Sequence, residues 1–153
     1  MSDYFQFVVA GLTMGCIYAL VGLGYHIILR ATRAINFAQG DQVVMGGLIA
    51  LSFVTWVKFP ILVAIILTLI VGGAIGFGYE RLAMRPTYKI GEISTIIATI
   101  GASLFFFHGQ GLVWGREALA FPPFTGGENE VIDLLGVKVL IQSLWAFALL
   151  ALT

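Results

Sequence analysis

Charge is the scarcest commodity in this sequence. Eight Lys and Arg balance eight Asp and Glu, and charged residues make up only 10% of the 153 while apolar ones make up 59%, against roughly a quarter and a half in soluble domains. So little charge cannot cover a water-facing surface, which excludes a soluble domain, and the lack of a basic excess gives no electrostatic footprint for nucleic acid. Cysteine occurs once, as Cys16 inside an apolar run; an internal disulfide is excluded and the residue is read as packing. Residues 1–6 hold no Lys or Arg, so the apolar stretch that follows lacks the basic start of a signal peptide and is read as retained. It also continues well past Cys16, against a lipoprotein signal ending there. No G-x-x-x-x-G-K-[ST] phosphate cradle is present, and the glycines of GGAIGFG lie in an apolar run rather than at a strand-to-helix turn. No enzymatic activity, cofactor or metal is therefore expected. His26 and His108 are too isolated to pair on a metal, and His108 stands five residues from Ser103, a spacing that does not share a helix face and makes a poor serine–histidine couple.

What is present is a series of apolar runs. Residues 4–29, 34–57, 61–79 and 93–113 are long enough to span a bilayer, and a fifth run at 139–153 is too short and is still apolar where the chain stops. The expected fold is an all-α integral membrane protein, a polytopic helix bundle of about five spans with the last one truncated, forming a single domain over 1–153. Lys58-Phe59-Pro60 closes the second run as a turn. Gly11, Gly15 and Ala19 recur at every fourth position, and Gly72 and Gly76 do so in the third run. Such spacing lets helix backbones approach closely, or it simply reflects the glycine content of membrane helices. Glu80, Arg81, Arg85, Pro86 and Lys89 form a compact charged loop, and residues 116–138, with Pro122-Pro123, Gly126-Gly127, Glu117, Glu128, Glu130 and Asp133, form one long aqueous loop in which EVIDLLGVKV suggests a small hairpin. Arg30, Arg33, Arg81, Arg85 and Lys89 fall on one side, and Lys58, Arg116 and Lys138 on the other. This bias puts the first group in the cytoplasm, with the N-terminus and the 116–138 loop outside.

Within this apolar background, residues 30–47 stand out because Arg30, Arg33, Asn36, Gln39, Asp41 and Gln42 are crowded together there. A charge in hydrocarbon costs roughly 3 kcal/mol or more, so such residues face a protein interior or a wet cavity; alternatively the segment is an interfacial turn among headgroups. Asn36, Gln39, Gly40 and Asp41 are read as a polar break near the inner half of the second span, with Gly40 permitting the bend and Arg33 as the nearest partner for Asp41.

GYHIILRATRAINFAQGDQVVMGG resembles the first-loop and second-helix signature of the permeases of branched-chain amino-acid ABC transporters, where an I-N-F-A-H-G-E type motif is followed by M-I-G. YERLAMRPTYKIGEISTIIATIGASLFF is similar to that family's E-R-x-x-x-R-P loop and the A-T-I-G-type helix after it. Gln39 stands where histidine is usual and Asp41 where glutamate is usual. The resemblance implies a permease subunit in the bacterial cytoplasmic (inner) membrane, carrying branched-chain or related amino acids, or urea and other small amides or carboxylates. Its partners would be a second permease subunit, two cytoplasmic ATPase subunits that perform the hydrolysis, and an extracytoplasmic solute-binding protein. The acids Glu128 and Glu130 of the outer loop are read as part of the surface that meets such a protein, or else as an ordinary solvated loop. In that family the ATPase-docking loop follows the helix that begins here near Val139, so the chain is read as an N-terminal portion. The alternative is a membrane scaffold or assembly subunit without a pathway.

Overall fold

The computed structural model describes residues 2–117, 119–122, 131–134, 137–140 and 147–150. Packing divides the chain into two compact units, Tyr25–Phe121 on the one hand and Met1–Gly24 with Pro122–Thr153 on the other. The elements in order are helices α1 (Ser2–Thr32), α2 (Gln39–Thr55), α3 (Ile61–Tyr79) and α4 (Glu92–Trp114), then strands β1 (Val131–Leu134) and β2 (Val137–Leu140). The protein is an all-helical polytopic membrane protein to which one short hairpin is added.

Helix α1 has no proline to stop it. It ends where Arg33 turns left-handed at φ 53, with its N–H still bonded to the carbonyl of Leu29 at 2.8 Å. Glycine usually takes that position; here the Thr32 hydroxyl helps, donating to the Ile28 carbonyl at 2.8 Å and accepting from the Ala34 N–H at 3.3 Å. Helix α2 ends in a similar way. Lys58 is left-handed at φ 59, and the Phe59 N–H reaches back six residues to the Phe53 carbonyl at 3.0 Å, one residue farther than the long bond of a Schellman motif. Pro60, extended at ψ 142, then opens α3.

Residues 80–89, expected as a charged loop carrying Arg81, Arg85 and Pro86, instead prolong α3. Glu80–Met84 is a π-helical turn closed by the Arg85 N–H on the Glu80 carbonyl at 2.7 Å, and Thr87–Lys89 is a 3-10 turn. Glu, Arg, Leu, Ala and Met are all strong helix formers, and that preference outweighs the loop signal of clustered charge. Among the described residues three helical stretches are long and apolar enough to cross a membrane: Gln6–Thr32, Ile61–Lys89 and Glu92–Trp114. At 17 residues α2 is shorter, about 26 Å. It begins at Gln39, not at Ala34, because residues 33–38 leave helical geometry. The apolar run expected to start a fifth helix at Val139 gives Val139 and Leu140 to β2 instead, where they pair with Ile132 and Val131; helix is seen at 147–150. Glu128, Glu130 and the turn at Gly136 lie outside the described residues.

The core of the Tyr25–Phe121 unit is small: Ala34, Ala38, Tyr79 and Met84 are buried together, with Ala83, Ala102 and Phe106 packed against them. Helix α2 packs on both α3 and α4. Large apolar side chains such as Phe105, Leu69 and Leu112 point outward, as a chain solvated by lipid requires. Cys16 is buried in the other unit. Among the described residues, a Cβ added at Gly11, Gly15, Gly72 or Gly76 meets no atom within 4 Å, so no close backbone approach within the chain uses those stripes.

Gly91 joins the 3-10 turn to α4 at φ 142 and ψ 167, a region open almost only to glycine. Its carbonyl accepts from the Thr95 N–H and hydroxyl, both at 3.2 Å. Gly91→Ala is expected to cost about 1–3 kcal/mol, whereas Gly101→Ala, inside α4 with open space around it, is neutral or slightly stabilising. Thermal unfolding of the detergent-solubilised protein reads the difference, and equal midpoints for the two variants would contradict the strain.

Candidate functional site

Two polar ties hold the start of α2 inside the Tyr25–Phe121 unit. The first is built on Asn36, only 3% exposed. Its Oδ1 accepts from the Ala38 N–H at 3.0 Å and from the Tyr79 hydroxyl at 2.7 Å. The short-range bond is an Asx turn, by which an asparagine side chain replaces a backbone carbonyl and starts a helix; the long-range bond pins that start to the end of α3. Tyr79 in turn sets its ring against Phe106 of α4, centroids 5.6 Å apart. Ala38 is wholly buried, and its carbonyl accepts the Gln42 N–H at 3.0 Å.

The second tie is built on Asp41. The Ser103 hydroxyl donates to Asp41 Oδ2 in a short bond, and Gln110, itself buried, donates from Nε2 to the Asp41 carbonyl at 2.7 Å. A carboxylate in the first turn of a helix also sits in the positive field of the helix N-terminus. Ser103 is the middle residue of the 23-residue α4, so Asp41, in the first turn of α2, meets α4 at its midpoint. Arg33 is exposed and does not supply the partner expected of it; a neutral hydroxyl does. Farther along, the Trp114 indole N–H donates to Ser52 Oγ at 2.7 Å, and Trp56 stacks on Trp114 at 6.4 Å. The contacts Thr99–Ile35, Ser103–Asp41 and Trp114–Ser52 are offset by 64, 62 and 62 residues. Partners advance together along both segments, so α2 and α4 run parallel, with α3 as the return.

Beside this seam lies a groove of about 690 Å³, with Asp41, Phe107, His108, Gln110, Trp114 and Arg116 among its walls. It offers a carboxylate, an imidazole, a guanidinium and aromatic faces, which suits a small solute with charged ends and an apolar body. It does not assemble a nucleophile and base: the Ser103 hydroxyl is given to Asp41, not to His108. Among the described residues no three His, Cys, Asp or Glu side chains converge as a metal site.

The structure thus ties Asn36 to the end of α3 and Asp41 to α4. Gly40 lies in the first turn of α2 without a left-handed φ, so the bend belongs to residues 33–38 before it. Gln39 reaches no partner through Oε1, nor Gln42 through Nε2, although both atoms are buried. Arg81, Arg85 and Pro86 line a separate cleft. Tyr79, Ser103, Gln110 and Ser52 were not singled out from sequence as partners. Their one signal was polarity inside apolar runs.

The chain matches the family described as "Branched-chain amino acid transport system / permease component" over residues 7–153. It is 32% identical over 132 residues to the high-affinity branched-chain amino acid transport system permease protein BraD of Pseudomonas aeruginosa, covering 81% of this chain and 43% of that protein. To the permease protein LivH of the corresponding system in Salmonella typhimurium it is 28% identical over 158 residues, 94% of this chain and 51% of LivH. The Escherichia coli K12 LivH is 27% identical with the same coverage. The chain spans about half the length of the curated relatives it matches. No solved structure matches it.

The Asn36 tie makes a graded prediction. Tyr79→Phe removes one donor from Oδ1 and is expected to cost about 1 kcal/mol, whereas Asn36→Ala strands both the Ala38 N–H and the Tyr79 hydroxyl and is expected to cost about 2–4 kcal/mol. Detergent unfolding of the two variants should rank them in that order. The reverse order would show that Asn36 does not organise the turn.

Proposed function

The chain belongs to the family of branched-chain amino acid transport permease components, and on that premise we propose that it forms part of the translocation pathway of an ABC importer for branched-chain amino acids. The observation that carries this reading is Asp41, bonded to Ser103 at mid-helix and facing the groove. A carboxylate at that depth must be hydrated, paired or protonated, and a pathway supplies water on one side while Ser103 supplies a donor on the other. Apolar solutes need few charges along their route. Asn36, Gln39, Gly40 and Asp41 therefore set the geometry of the gate first and touch solute second, as freed groups at broken helices do in transporters.

In this proposal hydrolysis takes place on two cytoplasmic ATPase subunits, and the protein lies in the bacterial inner membrane with its N-terminus outside. Gly11 and Gly15, exposed and with open space around them among the described residues, and the exposed Ala19 receive the second permease subunit or another helix, as do Gly72 and Gly76. Glu128 and Glu130 face the solute-binding protein outside, where rim charges tune encounter rate.

Two measurements test the proposal. In the assembled transporter Asp41→Leu is expected to abolish uptake while leaving membrane insertion intact, Ser103→Ala to lower it about tenfold, the scale of a hydrogen bond to a charged group, and Gln39→His to be tolerated. Normal uptake by Asp41→Leu would remove the pathway role and leave the scaffold reading. Separately, a reporter fused within residues 125–129 is expected to behave as extracytoplasmic; cytoplasmic activity would reverse the orientation.

A further inference from the structure

The prolonged end of α3 carries a feature that transport does not use. Arg81, Arg85 and Lys89 follow one another at four-residue intervals through the π and 3-10 turns. Together with Pro86 they line a cleft of about 360 Å³. Among the described residues none of the three cationic heads has a hydrogen-bond or ion-pair partner. Glu80 and Glu92 are the nearest acids in sequence, and neither lines this cleft; Glu92 belongs to another, beside Arg33.

Three uncompensated cations around one cleft imply an anion, and their surroundings say which kind. They close the membrane-length stretch Ile61–Lys89, and beside them stand apolar side chains left open: Leu82 at 80%, Ile90 at 73% and Ile93 at 75% exposure. A soluble anion has no use for such neighbours. A phospholipid does, since its phosphate lies at the end of the hydrocarbon layer and its acyl chains lie below. We propose that the Arg81–Arg85–Lys89 cleft is a binding site for the phosphate headgroup of an anionic membrane lipid. The two guanidinium groups hold phosphate oxygens through paired N–H donors, Lys89 adds a point charge at the rim, and the proline keeps the cleft open by fixing the backbone between Arg85 and Lys89. The site rests on the membrane-spanning reading of α3 and is independent of which solute is carried.

Native mass spectrometry of the full chain in neutral detergent, offered equimolar phosphatidylglycerol and phosphatidylcholine, reads the preference. Phosphatidylglycerol is expected to be retained about a hundredfold over phosphatidylcholine, with about fivefold lost for each cation neutralised. Arg81→Gln/Arg85→Gln/Lys89→Gln together should bring the two lipids to parity. If the triple variant does not fold, Lys89→Gln alone, at an exposed position, must still lose about fivefold. Millimolar inorganic phosphate should not displace the lipid; displacement would assign the cleft to a soluble phosphate. Equal retention of both lipids by the unaltered chain, or a preference that survives Lys89→Gln undiminished, would overturn the proposal.

Discussion

Where the backbone leaves helical geometry, its N–H and C=O groups lose their helical partners and must find others, and the placement of α2 in the Tyr25–Phe121 unit follows from how residues 33–38 meet that constraint. Asn36 meets it with one oxygen that serves two donors, one from its own turn and one from Tyr79. Thr32 covers the end of α1 and Ala38 leaves no gap. Because the break is satisfied at this point, α2 begins there, and Asp41 is delivered to Ser103. Without the Asn36 tie the chain would regain its hydrogen bonds most simply by continuing as helix, and Asp41 would point elsewhere.

The seam between α2 and α4 shows polar bonds substituting for a hydrophobic drive that lipid removes. Apolar surface gains little by leaving hydrocarbon for protein, so small residues and interhelical hydrogen bonds select the packing. The buried core is correspondingly slight; Asn36–Tyr79 ties the turn before α2 to α3, and along the seam itself specificity resides in Asp41–Ser103 and Ser52–Trp114. These bonds are spread along the interface, which fixes the helix directions as well as their proximity.

Much of this is legible in the sequence. A run of about 26 residues without charge reads as α1, the proline at 60 marks the start of α3, and the crowding of polar residues at 36–41 marks the seam. Two things were not legible. The partner of Asp41 lies 62 residues away, and hydrophobic periodicity identifies faces without saying which faces meet; the nearest opposite charge, Arg33, was the natural guess and the wrong one. The stretch at 80–84 carried two signals in conflict, dense charge for a loop and strong formers for a helix, and tertiary continuity with α3 decided for the helix. Gly40 taught the converse: a glycine permits a bend without requiring one, and the left-handed residue that ends α1 is an arginine.

The nearly constant offset along that seam also sets a clock. A ribosome adds roughly 5–20 residues per second, so Asp41 emerges roughly three to twelve seconds before Ser103 exists to receive its carboxylate. During that interval α2 is a 17-residue segment with a bare acid in its first turn, a poor candidate for release into lipid by itself. Ser103 is thus a partner that only a later stage of synthesis supplies, and the order of synthesis becomes part of how the seam is made.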